Sequence, residues 1–130
     1  EEYFSIQSLR RNGFTSDIYE LGFSDWFYAN LLISDNRISY SSMFGTIIFY
    51  KGKKNITIQS FLTTLIRNHN KIDVYDLINE LSVQYGSKPL ERWDILEKIK
   101  RTEIYYDNIL DRLYANAELY YREIDEAEGI

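Results

Sequence analysis

The residues of this sequence that are best suited to contact a polyanion form two short basic islands. Residues 51–60 carry three lysines and no acidic residue, namely Lys51, Lys53 and Lys54. Residues 88–101 carry five basic and three acidic residues, and the candidates there are Lys88, Lys98 and Arg101. Clustered Lys and Arg attract the phosphates of nucleic acids. These six side chains are therefore the candidate nucleic-acid contacts.

The charge of the whole chain opposes that chemistry. Its formal net charge is −5, and residues 102–130 alone contain two basic and eight acidic residues. An acidic domain repels the phosphate lattice of nucleic acids, which binds through clustered cations. DNA binding is therefore an alternative function, and a protein partner is favoured.

Tyrosine is the other abundant residue type with a chemical use. The chain has 12 Tyr, and several lie among acidic residues near its C-terminal end. Tyr is enriched in the hot spots of protein interfaces, because its ring buries apolar surface while its hydroxyl reaches water. The candidate protein contacts are Tyr105, Tyr106, Tyr120 and Tyr121. The same side chains are equally suited to covering a helical core, and that alternative stays open.

Residues suited to catalysis or metal binding are few. The chain has no cysteine, and its one histidine, His69, lies in the polar segment RNHN. Thiolate metal ligands and a cysteine nucleophile are therefore excluded, and no glycine-rich phosphate loop is present. We predict that the chain is not an enzyme and binds no cofactor, metal or small molecule.

Apolar residues at helical spacing predict most of the chain as helix. In the second half, helices are predicted from Thr57, from Asp73 and across residues 89–101. The next segment has strand-forming residues at its start, but the spacing of Tyr105, Ile109 and Leu113 favours helix. Three shorter helices are predicted in the first half, within residues 5–12, 15–22 and 24–34. Two tryptophans on third helices, Trp26 and Trp93, are expected to be buried in corresponding positions.

After residue 37 the apolar residues no longer recur at helical spacing, and this change predicts one β-hairpin. The segments ISY and TIIFYK, within residues 38–51, are rich in β-branched and aromatic residues.

A repeat is also visible: SIQS (5–8) precedes DIYEL (17–21), and TIQS (57–60) precedes DVYDL (73–77). Matches that keep their order indicate a duplicated unit.

These patterns predict a mainly α chain with a small β-hairpin, built from two tandem helix-turn-helix units. The first unit would span residues 1–55 and carry the hairpin. The second would span residues 56–130, with extra C-terminal helices replacing a hairpin. One compact domain is the alternative arrangement.

The first half also resembles a known class of domain. FYANLLISD and DNRISY…TIIFYKG, within residues 5–52, resemble the small winged helices of the HARE type. The N-terminal domain of the RNA polymerase delta subunit carries one of these. The resemblance implies a bacterial protein with a winged-helix fold and DNA as a partner.

We expect a non-catalytic docking module. Because the sequence begins at Glu1 rather than at Met, we expect it to be a piece of a larger intracellular protein. No apolar run approaches 18 residues and no signal peptide is visible, so no membrane contact and a cytoplasmic location are expected. The favoured partner is a protein or the rest of the parent chain. The alternatives are a winged-helix DNA-binding domain in transcription or DNA transactions, and a structural or oligomerisation domain.

Overall fold

The computed structural model describes residues 3–11 and 25–127. About 50% of the structure is helical and 21% is strand, and the strands form two three-stranded antiparallel sheets. The protein is therefore an α+β fold, and the predicted mainly α fold with one small hairpin is wrong. The prediction failed because four strands are only two or three residues long, too short to show an alternating pattern.

The chain forms two compact units that alternate along the sequence. The first unit takes its residues from Glu1–Thr57 and Glu80–Pro89, and the second from Ile58–Asn79 and Leu90–Ile130. One helix, Val74–Tyr85, therefore contributes its first half to the second unit and its second half to the first.

The first unit contains a sheet in the order β1-β3-β2. Its described elements are β1 (Tyr3–Phe4), α1 (Ile6–Arg11), α2 (Asp25–Ile33), β2 (Ile38–Met43) and β3 (Thr46–Lys51). The hairpin predicted around residues 38–50 is confirmed as β2–β3. Its two-residue turn holds Phe44 and Gly45 at φ 53° and 76°, the positive angles that a type I′ turn requires.

The first unit packs around aromatic rings of the sheet. Phe49 of β3 is fully buried and stacks on Phe4 of β1, with ring centroids 5.5 Å apart. The Gln7 side-chain amide donates to the carbonyl oxygens of Ser82 and Val83 at 2.9 and 2.7 Å. Those carbonyls lie in the last turn of Val74–Tyr85, where helical acceptors lack partners within the helix. The Gln7 side chain therefore caps that helix end.

The second unit contains a sheet in the order β4-β6-β5. Its elements are α3 (Ile58–His69), β4 (Lys71–Asp73), the first half of α4 (Val74–Tyr85), α5 (Arg92–Ile99), β5 (Tyr105–Asp107), β6 (Arg112–Tyr114) and α6 (Ala117–Ala127). The three predicted helices are confirmed as α3, α4 and α5. Gly86 follows α4 at φ 77°, the left-handed conformation expected of a helix-terminating glycine.

The predicted continuous helix after Arg101 is wrong. Residues 105–114 form the β5–β6 hairpin, in which Tyr105 pairs with Tyr114 and Asp107 with Arg112. Of the three residues at helical spacing, Tyr105 and Leu113 lie in the two strands and Ile109 lies in the turn between them. Of the predicted C-terminal helices, α6 is present.

The predicted repeat is only partly covered by the described residues. Its second copy lies on α3 and α4, as predicted. In the first copy α1 follows Ser5, but DIYEL at 17–21 and the helix predicted there lie outside the described residues. The duplication stays a prediction.

Trp93 is not buried, in contrast to the prediction. Its side chain is 60% exposed, whereas Ile95 and Ile99 on the same helix are buried. Successive helical residues turn by about 100°, so Trp93 lies more than a quarter turn from the centre of the buried stripe. The same prediction for the side chain of Trp26 lies outside the described part of the chain.

We predict that Trp93→Ala changes the free energy of unfolding by less than about 1 kcal/mol, because an exposed ring loses little packing. Ile95→Ala, two residues further along α5, should cost about 2–5 kcal/mol, because it removes a fully buried side chain. Urea unfolding followed by far-UV circular dichroism measures both. Equal losses for the two variants would contradict the assignment of Trp93 to the surface.

Candidate protein-docking surface

Exposed aromatic side chains surround a cleft in the second unit. Tyr75, in the first turn of α4, and residues 90–93, at the start of α5, line a cavity of about 460 Å³. Tyr75 and Trp93 are 61% and 60% exposed. We call these five lining residues, Tyr75, Leu90, Glu91, Arg92 and Trp93, the aromatic cleft.

The core stripes of the two helices force these rings outward. In α4, Val74, Leu77 and Leu81 are buried, and Tyr75 lies about 200° around the helix from Leu77. In α5, the buried stripe leaves Trp93 on the solvent side. The residues that anchor the helices therefore also determine which rings face water.

The start of α5 is held by a reciprocal cap. The backbone N–H of Glu91 donates to the Asp94 carboxylate at 2.7 Å, and the N–H of Asp94 donates to the Glu91 carbonyl at 3.0 Å. Such a cap satisfies backbone groups that have no partner at a helix end. The cap fixes the first helical turn, which carries Arg92 and Trp93.

Arg92 is held between a carboxylate and an aromatic ring. Its guanidinium lies 3.1 Å from the Asp111 carboxylate, and its central carbon lies 5.8 Å from the Tyr75 ring centroid. The negative charge of Asp111 raises the pKa of Arg92 above its usual range. Arg92 therefore stays charged and has a defined position within the cleft.

Asp111 joins three elements around the cleft. It lies in the β5–β6 turn at φ 56°, a left-handed conformation that Asp tolerates better than most residues. Its carboxylate accepts the Tyr106 hydroxyl at 2.5 Å, which raises the pKa of Tyr106. Its carbonyl oxygen accepts the Val74 N–H at 3.0 Å. The turn is thereby fastened to the first residue of α4 and to Arg92 of α5.

The same turn presents two apolar side chains to water. The Asp107 carboxylate, itself buried, accepts the N–H groups of Ile109 and Leu110 at 2.9 and 3.4 Å. This is the Asx-type turn that Asp favours. Ile109 is 88% exposed and Leu110 is 48% exposed. We call these two residues the hairpin tip. Leu110 directly precedes Asp111, which pairs with Arg92 of the cleft.

Three of the predicted protein-contact tyrosines, Tyr105, Tyr120 and Tyr121, pack together. Tyr105 and Tyr120 stack with ring centroids 4.3 Å apart, and burial raises the pKa of Tyr105. Tyr106 is tied to Asp111, as described above. Tyr121 is 58% exposed, at the edge of this cluster. Three of the four candidates are therefore half-buried contacts within the unit.

Helix α6 is fastened to the sheet by polar groups, and none of its residues from Ala117 to Ala127 is fully buried. The Glu123 carboxylate accepts from Lys71 at 2.9 Å, from the Tyr114 hydroxyl at 3.2 Å and from Arg112 at 3.4 Å. The Lys71 hydrogen bond is the main cause that lowers the pKa of Glu123. These bonds keep Glu123 charged and hold α6 in place.

The predicted nucleic-acid contacts are divided between the units. Lys51, Lys53, Lys54 and Lys88 belong to the first unit, whereas Lys98 and Arg101 belong to the second. In the first unit the ammonium of Lys54 lies 4.8 Å from the Tyr50 ring centroid and 2.9 Å from the Tyr3 hydroxyl. In the second, Lys98 is half-buried and Arg101 is exposed. Lys54 therefore has a packing role within its unit.

The described residues show no arrangement typical of a metal site. Across residues 3–11 and 25–127, no group of three or more His, Asp or Glu side chains is close enough to hold a metal ion. His69 is exposed at the last position of α3. Within the same ranges, no helix combines the length and the apolar character needed to cross a membrane.

Comparison with protein-family models, with curated proteins and with solved structures finds no match to this chain. The candidate site therefore rests on the geometry of the chain. Sequence reasoning missed Tyr75, Trp93 and the hairpin tip. A helical-wheel test against the Ile95/Ile99 stripe would have placed Trp93 outside the core. No comparable signal marked Ile109, because its exposure depends on a turn that the apolar spacing concealed.

We predict that the backbone conformation of Asp111 contributes more to stability than its charge. Asp111→Asn should cost less than about 1 kcal/mol, because the pair with Arg92 is half-exposed and the amide oxygen can still accept the Tyr106 hydroxyl. Asp111→Gly should cost about 1.5–3 kcal/mol, because it removes that acceptor. Asp111→Ala should cost roughly 1–2 kcal/mol more than Asp111→Gly, because a Cβ is strained in the left-handed region. Urea unfolding of the three variants tests this, and equal stability of the Ala and Gly variants would contradict it.

Proposed function

We propose that this chain is a non-catalytic module that docks a protein partner through the aromatic cleft and the hairpin tip. The observation that carries the proposal is the exposure of Tyr75 and Trp93 in a cleft that Arg92 also lines. Tyr, Trp and Arg are the residue types most enriched in interface hot spots. An exposed apolar residue alone is ordinary, but several around one cleft indicate an interaction site.

The exposed rings contain enough apolar surface to support a short bound segment. A large aromatic side chain buries about 150–250 Å² when fully covered. Covering the exposed part of two rings at about 25 cal/mol per Å² gives roughly 3 kcal/mol for each. Part of that free energy is lost to ordering of the partner. The cleft therefore suits a peptide-like segment bound with moderate affinity.

The cleft is also preorganised. Arg92 is fixed by Asp111 and Tyr75, the start of α5 is fixed by its cap, and the hairpin tip is fixed by Asp107. A binding surface that is already rigid loses less conformational entropy when a partner binds. This feature supports a docking role. We propose that the parent chain and its partner lie in the cytoplasm.

A random twelve-residue peptide library displayed on phage tests the docking function. We expect the wild-type protein to enrich a family of peptides that bind Trp93→Ala and Tyr75→Ala at least about tenfold more weakly, a loss of about 1.4 kcal/mol in binding free energy. Tyr121→Ala is the matched control, because it removes an equally exposed tyrosine from α6. Absence of enrichment, or enriched peptides that bind both cleft variants as well as wild type, would refute the proposal.

Binding of duplex DNA is the second candidate function, and one observation favours it. In the second unit, helices α3, α4 and α5 are followed by the β5–β6 hairpin, which is the order of a helix-turn-helix domain with a wing. This order supports a winged-helix resemblance as a proposal. The charges on α5 oppose DNA binding, since Asp94 and Glu97 accompany Arg92 and Lys98 on this short helix.

We predict no DNA binding below high-micromolar concentrations at about 150 mM salt, where charges are screened beyond roughly 8 Å. Three phosphate contacts would allow a salt slope of only about −3. Fluorescence anisotropy with labelled duplex DNA measures this. Sub-micromolar binding removed by Lys51/Lys53/Lys54→Glu or by Lys88/Lys98/Arg101→Glu would establish DNA binding in place of protein docking.

A further inference from the structure

Helix α6 packs on the sheet of the second unit without a buried apolar stripe. None of its residues from Ala117 to Ala127 is fully buried. Helix α3 of the same unit, in contrast, buries Phe61, Leu62, Leu65 and Ile66. Burial of apolar surface contributes most of the stability of a packed helix. The attachment of α6 is therefore weaker than that of α3, and α6 belongs to the part of the unit that opens most easily.

The carboxylate of Glu123 joins α6 to two strands of the sheet. It accepts from Lys71 of β4 at 2.9 Å, and from the Tyr114 hydroxyl and the Arg112 guanidinium of β6 at 3.2 and 3.4 Å. Arg112 also pairs with Asp73 of β4 at 2.8 Å. Two cations of the sheet thus converge on one carboxylate of the helix, and the attachment depends on the charge of that carboxylate.

The ring of Tyr120 covers two tyrosines of the same sheet. It stacks on Tyr105 of β5 with ring centroids 4.3 Å apart, and it meets the edge of Tyr114 of β6 at 5.3 Å. Tyr114 is buried and Tyr105 is half-buried. Movement of α6 away from the sheet would take Tyr120 off both rings and open them to water.

Detachment of α6 and loss of its helical structure would occur as one step. The helix has 11 residues, and an isolated helix shorter than about 12–15 residues is marginal in water. Strands β4, β5 and β6 pair with one another through their backbones. The sheet therefore keeps its own hydrogen bonds when α6 leaves.

We infer that α6 is a strap that opens when the charge of Glu123 is neutralised, uncovering Tyr105 and Tyr114 while the rest of the second unit stays folded. A protonated Glu123 would leave Lys71 and Arg112 without the negative charge that α6 supplies. This inference does not rest on the proposed docking function, because the residues that line the aromatic cleft do not belong to α6.

The direction of the pH dependence follows from the environment of Glu123. Its hydrogen bond to Lys71 is the main cause that holds the pKa of Glu123 below the ordinary value of a Glu carboxyl. A carboxyl whose pKa is lowered by folding stabilises the folded form above its ordinary pKa, and this contribution is lost as the pH falls through the lowered value. The closed strap is therefore favoured at neutral pH and weakened in acid.

Hydrogen exchange of the whole chain, measured by mass spectrometry, tests the strap. The ordinary Glu pKa is about 4.3, so the pH is lowered from about 6 to about 3. Protection factors, which are corrected for the effect of pH on intrinsic exchange, should fall several-fold further in α6 than in α3. At pH 6, Glu123→Gln should lower the protection of α6 several-fold. It should also remove most of the difference between α6 and α3 in their response to pH.

Two further variants separate the charge of Glu123 from other contributions. Glu126→Gln removes the same charge from an exposed position of α6 and is the matched control, so it should leave the protection of α6 nearly unchanged. Tyr120→Leu removes the stacked ring but keeps Glu123. It should lower the protection of α6 and preserve its pH dependence.

Three results would overturn the inference. Equal loss of protection in α3 and α6 on acidification would indicate unfolding of the whole unit rather than opening of a strap. Unchanged protection of α6 in Glu123→Gln would show that its charge does not hold the helix. An equal loss in Glu126→Gln would assign the effect to the net charge of α6 instead of to the contacts of Glu123.

Discussion

The β5–β6 turn is held by one residue, Asp111, and the arrangement of the second unit depends on it. Its carboxylate binds Arg92 and Tyr106, and its carbonyl binds the first amide of α4. Asp suits this position because it tolerates a left-handed backbone and supplies an acceptor from both side chain and main chain. Because these bonds converge on one residue, the hairpin, α4 and α5 are aligned around a single cleft.

Sequence patterns predicted the long helices well. The apolar residues of α3 and α4 recur every three or four positions and are mostly buried, with polar residues between them. The β2–β3 hairpin was also predictable, since each strand is six residues long and rich in β-branched or aromatic side chains. In these elements the pattern of buried positions sets the spacing of apolar residues along the sequence. That spacing therefore predicts the element.

The second hairpin and the candidate site could not be predicted in the same way. Three-residue strands are too short to carry a period, and the turn between them depends on hydrogen bonds from Asp107 and on the backbone angle of Asp111. Residue type alone predicts that a large aromatic residue such as Trp93 is buried in the core. Its exposure follows from the position of Ile95 and Ile99 on the helix, a geometric relation that residue type alone does not reveal.

The alternation of the two units along the chain has a consequence for inheritance. Residues of the first unit lie on both sides of Ile58–Asn79, so no single cut in the gene separates one unit intact from the other. Recombination that exchanged residues 1–57 alone would leave behind residues 82 and 83, whose carbonyls Gln7 caps. The two units are therefore expected to be transferred between proteins as one continuous segment. They should also accumulate substitutions together.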